Sequence, residues 1–399
     1  MKDNSKNTNL RNIYDSVMLP NYSPADFIPE RALGSRLWDK DNKEYIDFGG
    51  GIAVNSLGHA HPLLIKALNK QSKKIWHISN YLTNEPAIEL AKKLTDLTFA
   101  ENVYFSNSGS EANEAAIKIA RKFHSSHDNP RNEIVSFKNS FHGRSLLNIS
   151  LGNSELHRKG FEPLMPGIKQ GEFNNSSCLK DLISEQTAAV ILEPVQGEAG
   201  VYAAEKDFLE EVRDLTVKKG ALLIIDEVQS GVGRMGNIYG YMNYGIEPDI
   251  VTSAKGLGGG IPIGATLTTK AIGEVMQPGT HGSTFGGNPI ACAVANEVIN
   301  IISDEDFLKK VNEKEKLFLD LLLEMKEKGF FTDIRSSGLW IGCDLADKNS
   351  NEVLGQAYKE GLILVSAGSS CLRLAPALNI HEEDIREGVG LLKKVLMGK

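Results

Sequence analysis

The sequence predicts an α/β fold: a mostly parallel central sheet covered by helices, with a smaller α+β unit formed by the two ends of the chain. Three observations carry this. From about residue 61, short apolar runs alternate with helical patterns of roughly 10 to 20 residues, the mark of strand-helix crossover units. Runs such as "ALLII" lack polar alternation, so both faces of the sheet are covered. Beyond about residue 300 the pattern becomes a long charged helix followed by short strands. The expected division is residues 1–60 as a segment joining the small unit, 61–300 as the large unit, and 301–399 as the C-terminal small unit.

In chain order, "SRLWDKDNKEYIDF" reads as a hairpin turning around Lys40 to Lys43, with Leu37 and Tyr45 to Phe48 in its strands. The runs "NVYF", "EIVSF", "AAVILEPV", "ALLIIDEV", "DIVTSAKG" and "GATLTT" supply the central sheet. Between them, "EANEAAIKIARKF" sets Ala112, Ala116, Ile119 and Phe123 along one helical stripe. A second stripe, Phe208, Val212 and Leu215 in "EKDFLEEVRDLTVKKG", is closed by Gly220. A charged helix follows from about Glu305 to Lys328, then strands in "DIRSSGLWIGCDL", "LILVS" and "CLRLAP", and a last helix. Chain termini often lie close together, so the N-terminal hairpin is expected to join this C-terminal unit.

Composition excludes several functions. With 41% hydrophobic and 24% charged residues, the 399-residue chain is that of an ordinary globular protein, with disorder expected only in the first few residues. A net charge of -7, without a basic block flanked by exposed aromatics, argues against a nucleic-acid partner. Cys178, Cys292, Cys343 and Cys371 are widely separated and form no C-x-x-C pair, which argues against a disulfide framework and a thiolate metal site; free thiols are expected. "MKDNSKNTNL" has no apolar signal core, and no run approaches about 18 apolar residues. The expectation is a cytoplasmic protein with no membrane partner and no metal.

The stretch "IIDEVQSGVGRMG" carries G-x-G-x-x-G at Gly231, Gly233 and Gly236. A dinucleotide fingerprint opens a helix directly, whereas "GRMGNIYGYMNYGIEPD" brings further glycines and a proline, so a turn is expected instead. The turn "SNSGSEANEAAIK" places Ser108, Gly109 and Ser110 at a helix start. It reads either as an anion nest of free N–H groups or as a capping box from Ser108 to Glu111. Asp226 ends a buried strand, where an unpaired carboxylate is costly; a cationic ring nitrogen satisfies it. Strand parity puts Val228 on the same face and Glu227 on the other. Lys255 ends the next strand amid apolar residues and glycines, the setting of an amine with depressed pKa that reacts with a carbonyl. A phosphate nest, an interior carboxylate and a lysine at one sheet edge together describe a pyridoxal 5'-phosphate site.

In "GSRLWDKDNKEYIDFGGGIAVNSLGHAHP", "FSNSGSEANEAAIKIAR", "SFHGRS", "EPVQGEAG", "LIIDEVQSGVGRMG", "DIVTSAKGLGGGIPIGA", "HGSTFGGNP" and "LRLAPALNI" the sequence resembles the fold-type I, class III pyridoxal-phosphate aminotransferases. Within that class it is most similar to the acetylornithine aminotransferases of arginine biosynthesis. The resemblance implies transfer of the terminal amine of N-acetylornithine to 2-oxoglutarate, giving the semialdehyde and glutamate. Related donors are succinyldiaminopimelate, ornithine, 4-aminobutyrate and other ω-amines.

It also implies roles. Lys255 would carry the cofactor and shuttle the proton, Asp226 would bind the ring nitrogen, and Gln229 the phenolic oxygen. Phe141 and Val228 would flank the ring. Ser108, Gly109 and Ser110 would hold the phosphate, completed by Thr284 from the second subunit of a homodimer with shared active sites. Arg373 would take the α-carboxylate of glutamate and 2-oxoglutarate, and Arg144 the distal carboxylate of the keto acid and the carboxylate of the acylated donor. Glu198 would switch onto Arg373 when a substrate presents its far amine. His142 is expected as a loop determinant beside Phe141, His124 and His127 as surface residues, and Glu193 and Glu227 as turn support. Met235 departs from the class, whose members usually carry threonine there, and puts the local turn geometry in question.

Overall fold

The apolar runs from "NVYF" to "GATLTT" all enter one seven-stranded sheet in this computed structural model, which describes residues 4–127 and 129–398. Across the sheet the strands stand in the order Asn102–Ser106, Gly264–Thr268, Ile250–Ser253, Leu222–Asp226, Thr187–Leu192, Glu133–Phe137 and Ile168–Gly171. Gly264–Thr268 runs antiparallel to both neighbours and the remaining pairings are parallel. The carboxyl ends of the other strands therefore share one edge. Thr187–Leu192 and Leu222–Asp226 are buried at every residue, as strands covered on both faces must be. Ile168–Gly171, "IKQG", an edge strand buried fully only at Gly171, gives no apolar run.

The helix Gly109–Ser126 packs Ala112, Ala116 and Ile119 against this sheet. His124 continues that stripe and is a correction to the surface reading: it is 4% exposed, and its Nε2 pairs with the Ala188 carbonyl at 3.0 Å. The spacing Ala112, Ala116, Ala120, His124 is a plain i, i+4 row, and burial keeps the imidazole pKa low. His127 is exposed, as expected. Lys206–Lys219 buries Phe208, Val212 and Leu215 and ends at Gly220, whose φ of 64° is the left-handed cap that glycine adopts without strain.

Arg36–Asp39 and Glu44–Asp47 form the N-terminal hairpin, with Leu37 opposite Tyr45. Leu362–Ile363 adds to it in parallel, Leu362 opposite Ile46, so the first strands and a late one share a sheet. The run "LILVS" is thus split, because Val365–Ala367 joins another sheet, made with Phe331–Ser336, Ile341–Leu345 and Cys371–Leu374. The charged helix Glu305–Glu327 starts at Asp304, whose carboxylate caps Phe307 N–H at 2.9 Å, and it buries Val311, Phe318, Leu322 and Met325. Phe318 meets Phe48 edge-on at 5.0 Å, tying this helix to the N-terminal hairpin. A helix at Asn4–Val17 has no counterpart in the sequence reading, since its pattern is too polar to stand out. Among the described residues no helix is long and apolar enough to cross a membrane, and no metal-binding cluster of His, Cys, Asp or Glu occurs.

Candidate active site

The chain passes from strand to loop or helix at Ser106, Phe137, Leu192, Asp226 and Ser253, all on the shared carboxyl edge. There a cavity of about 600 Å³ opens, lined by Ser108, Gly109, Ser110, Phe141, Arg144, Asp226, Val228, Gln229 and Lys255. Nine residues separated by up to 147 positions thus converge because the parallel strands point the same way.

At the helix start, Ser108 Oγ accepts the Glu111 N–H at 3.2 Å, and the Glu111 carboxylate reaches back to the Asn107 N–H at 2.8 Å. The cap and the anion nest are therefore one turn: the glutamate faces away while Ser108 to Ser110 face the cavity. Gly109 is required there, since a Cβ would stand 2.6 Å from Val228 Cγ1. Ser110 Oγ is held by the Asn148 amide at 2.5 Å.

Asp226 is 3% exposed and already well partnered. Its Oδ2 accepts from Asn113 Nδ2 at 2.8 Å and from His142 Nδ1 at 2.7 Å, and its Oδ1 from the Val228 N–H at 3.0 Å. Asn113 is fixed in turn by Thr252 Oγ1, which donates to its Oδ1 at 2.7 Å. His142 is thus an Asp226 ligand, and more than a loop residue. The strand ends at Asp226, so Val228 reaches the cavity through this local Asx-type turn. Glu227 points behind the strand, fully buried, accepting the Ser230 hydroxyl and the Tyr241 N–H at 2.6 Å each; burial pushes its pKa up to about 7.

Lys255 has a φ of 45°, a left-handed backbone that a non-glycine residue adopts only under constraint. Burial lowers its pKa, against the pull of Glu198 and Asp226. Its Nζ makes no hydrogen bond among the described residues. Glu193 also lines the cavity and accepts the Phe141 N–H at 3.1 Å; burial, then the charge of Asp226, push its pKa well up.

Arg373, 3% exposed, donates to Glu198 Oε1 at 2.8 Å, and its buried Nε has no partner among the described residues. Neither residue lines the main cavity, yet the charges of both act on Lys255. Arg144 is exposed at the mouth, its guanidinium carbon 5.3 Å from the centre of the Phe141 ring. Thr284 is also outside this cavity, and it is exposed.

The glycines of G-x-G-x-x-G open no helix; Gly233 and Gly236 take positive φ values of 85° and 76° in a turn. Arg234 between them is buried and donates through Nη1 to the Leu339 and Pro376 carbonyls at 2.7 Å each; burial lowers its pKa to about 9. Met235, 6% exposed, packs into an apolar cluster with Val195, Val201 and Trp340, which a threonine hydroxyl would not fill.

These residues fit pyridoxal phosphate. Free N–H groups and hydroxyls meet a phosphate, a fixed interior carboxylate meets a ring nitrogen, Phe141 and Val228 offer two apolar surfaces, and an unbonded amine meets an aldehyde. The Gly109–Val228 approach leaves the cradle open where any side chain would fill it.

Comparison with known proteins agrees. The class-III aminotransferase family model matches residues 17–396. A succinylornithine transaminase of Salmonella typhimurium is 50% identical over 384 residues, 95% of this chain and 94% of that protein. The crystal structure of an N-acetylornithine aminotransferase from Stenotrophomonas maltophilia is 35% identical, with a TM-score of 0.85 and coverage of 97% of this chain and 98% of that one. The ornithine aminotransferase of Toxoplasma gondii superposes with a TM-score of 0.94 at 28% identity, covering 98% and 95%.

Proposed function

The chain belongs to the class-III aminotransferases, which depend on pyridoxal phosphate, and we propose that it moves the terminal amine of an N-acylated ornithine to 2-oxoglutarate. The products are the acylated glutamate semialdehyde and glutamate. One observation carries this reading: Arg373 is masked by Glu198 beside Lys255. A donor offering its far amine leaves that pair closed; a dicarboxylate opens it and takes the guanidinium. For the acyl group we favour succinyl over the acetyl that sequence motifs suggest. The higher identity, 50% against 35%, lies with the succinylornithine enzyme.

When bound, the cofactor supplies an aldehyde for the amine and a ring that takes up electron density from the broken C–H bond. Ser108, Gly109 and Ser110 hold the phosphate at the helix N-terminus. Asp226, fixed by His142, Asn113 and the Val228 N–H, keeps the ring nitrogen protonated. Phe141 and Val228 hold the ring between them, and Gln229 bonds its phenolic oxygen. Lys255 anchors the cofactor, then moves the proton; burial lowers its pKa, which favours the neutral amine that this role needs. Arg144 takes the donor's α-carboxylate and the distal carboxylate of the keto acid. On the same reading, residues 61–300 hold the cofactor while 301–399, with 1–60, carry Arg373.

Thr284 belongs in this reading to the neighbouring site of a homodimer. Its loop packs on residues 76–84: Asn80 donates to the Ser283 and Gly286 carbonyls, and His77 lies 5.1 Å from Phe285. Trp76, Tyr81, Leu82 and Phe285 are 68%, 98%, 61% and 58% exposed, an apolar surface that supports pairing with a second copy. The free thiols support a reducing, cytoplasmic setting.

The test is a donor panel with 2-oxoglutarate: N-succinylornithine, N-acetylornithine, ornithine, succinyldiaminopimelate and 4-aminobutyrate, ranked by kcat/KM. N-succinylornithine is expected first and N-acetylornithine second. A panel led by ornithine or 4-aminobutyrate would reject the reading.

A further inference from the structure

Glu198 hangs from the tip of a small hairpin, and that tip is gripped on either side of it. The hairpin pairs Val195–Gln196 with Tyr202–Ala203, and residues 197–201 cross its end. Gly197 is wedged in place: a Cβ there would overlap the Trp340 ring and stand 2.5 Å from Gln229 Oε1. Gly200, at a φ of 124°, turns its carbonyl to Arg335, which donates from Nε at 3.1 Å and from Nη2 at 3.0 Å. The rest of that guanidinium is occupied as well. Nη1 donates to Asp333 and to Asp344 at 2.7 Å each, Nη2 donates to Asp344 at 2.8 Å, and the plane lies 4.1 Å from the centre of the Tyr202 ring. The five N–H groups of Arg335 thus meet oxygen in five contacts.

The two arginines that meet this tip stand in one row of one sheet. Arg335 is opposite Gly342, and Gly342 is opposite Arg373, so both arginine side chains leave the same face, two strand spacings or about 10 Å apart. Gly342 leaves a gap between them, and a Cβ there would overlap the Gly200 carbonyl oxygen. The tip lies in that gap, with Gly200 on Arg335 and Glu198 on Arg373.

We propose that Arg335 and Gly342 are positioning residues for the Glu198–Arg373 pair: they seat Gly200 so that the Glu198 carboxylate meets Arg373 from a fixed backbone. The inference rests on the acylornithine reading, in which this pair opens and closes. The two grips differ in kind. Arg335 offers a substrate carboxylate no free N–H, whereas Arg373 has one carboxylate partner and an Nε without a partner among the described residues. With Gly197 and Gly200 held, closing the pair orders one side chain instead of a five-residue tip. Loosening the tip at Gly200 therefore favours the open pair. A donor that needs Arg373 covered loses by it, and a dicarboxylate that needs Arg373 bare does not.

The experiment follows two half-reactions of the cofactor-loaded enzyme, with N-succinylornithine alone and with L-glutamate alone, by the change in cofactor absorbance. The quantity read is the ratio of their second-order rate constants. Arg335→Gln and Gly342→Ala are each expected to lower the acylornithine-to-glutamate ratio about tenfold, nearly all of it through the acylornithine. Arg335→Lys keeps a charge for the aspartates and an N–H for Gly200, and is expected to lower it only about threefold. Gly342→Ala leaves Arg335 and both aspartates in place, so it decides the outcome if the arginine variants fail to fold. Calorimetry with glutarate, an unreactive dicarboxylate, is expected to show binding at least as tight as in the wild type. Glu198→Gln is the control and should lower the ratio at least as far. If it does so while Gly342→Ala and the arginine variants stay within twofold of the wild type, depress both substrates alike or weaken glutarate binding, the inference is overturned and the function stands. If Glu198→Gln leaves the ratio unchanged, or the wild type does not use the acylornithine, the functional reading fails and the inference falls with it.

Discussion

At Asp226 a carboxylate 3% exposed meets donors from a helix, a loop and its own turn; at Glu198 a carboxylate with a 35% exposed side chain meets Arg373 alone among the described residues. The first arrangement is held by three hydrogen bonds from separate parts of the fold. The second is one ion pair, which on the proposed function a substrate carboxylate replaces. The difference maps onto chemistry. On the proposed function, proton movement at the cofactor is common to both halves of a transamination and suits a fixed charge, whereas donor and acceptor differ at the far end and need a charge that can be unmasked.

The strongest way to break the fixed end is Lys255→Ala. On the proposed assignment it removes the anchor and the proton carrier together, and kcat is expected to fall by about three orders of magnitude or more, read as turnover with saturating cofactor. Asp226→Asn should come next, at about a hundredfold in kcat. The amide cannot hold the ring-nitrogen proton as a carboxylate does, and in either orientation its NH2 group faces a donor, the Val228 N–H on one side or His142 and Asn113 on the other. Retention of full turnover by either variant would contradict the proposed assignment.

Asp226 and Lys255 were legible because a strand end is a local property: an apolar run, then one charge. Their supports were not. His142 and Asn113 are 84 and 113 residues from Asp226, and only the strand order puts them there. That order is not the chain order, since Gly264–Thr268 inserts between Asn102–Ser106 and Ile250–Ser253. Glu193 likewise reads as a turn residue until the sheet sets it beside Asp226. The pairing of Arg373 with Glu198, 175 residues apart, entered through family resemblance and had no local signal. The acyl group was read as acetyl from the motifs, which lie around the cofactor site and are shared by enzymes that take different acyl donors.

At the replaceable end, Arg373→Lys is expected to raise KM for 2-oxoglutarate about tenfold with a smaller effect on the acylornithine donor. An ammonium offers no planar fork to a carboxylate, and it leaves Glu198 less well paired. Equal loss for donor and acceptor would mean that the pair is structural and that the contrast between the two ends is false.

The smallest effect lies behind the fixed end and is a matter of stability. Glu227 follows Asp226 in the chain yet faces away from the cavity, and burial raises its pKa from an ordinary 4.5 to about 7. Between those values the native chain holds a proton that the unfolded chain has released. Stability therefore falls as pH rises through that window and levels off above it, the sign expected for a raised carboxyl pKa. Glu227→Gln should remove this slope. Its carbonyl can keep the Tyr241 N–H, and its NH2 can donate to Ser230 Oγ, which accepts as readily as it donates. Urea midpoints at pH 5 and pH 8 test this: the variant should gain on its parent at pH 8 and lose that advantage at pH 5. Parallel curves would mean that Glu227 is ionised throughout and that its burial behind the strand end does not raise its pKa.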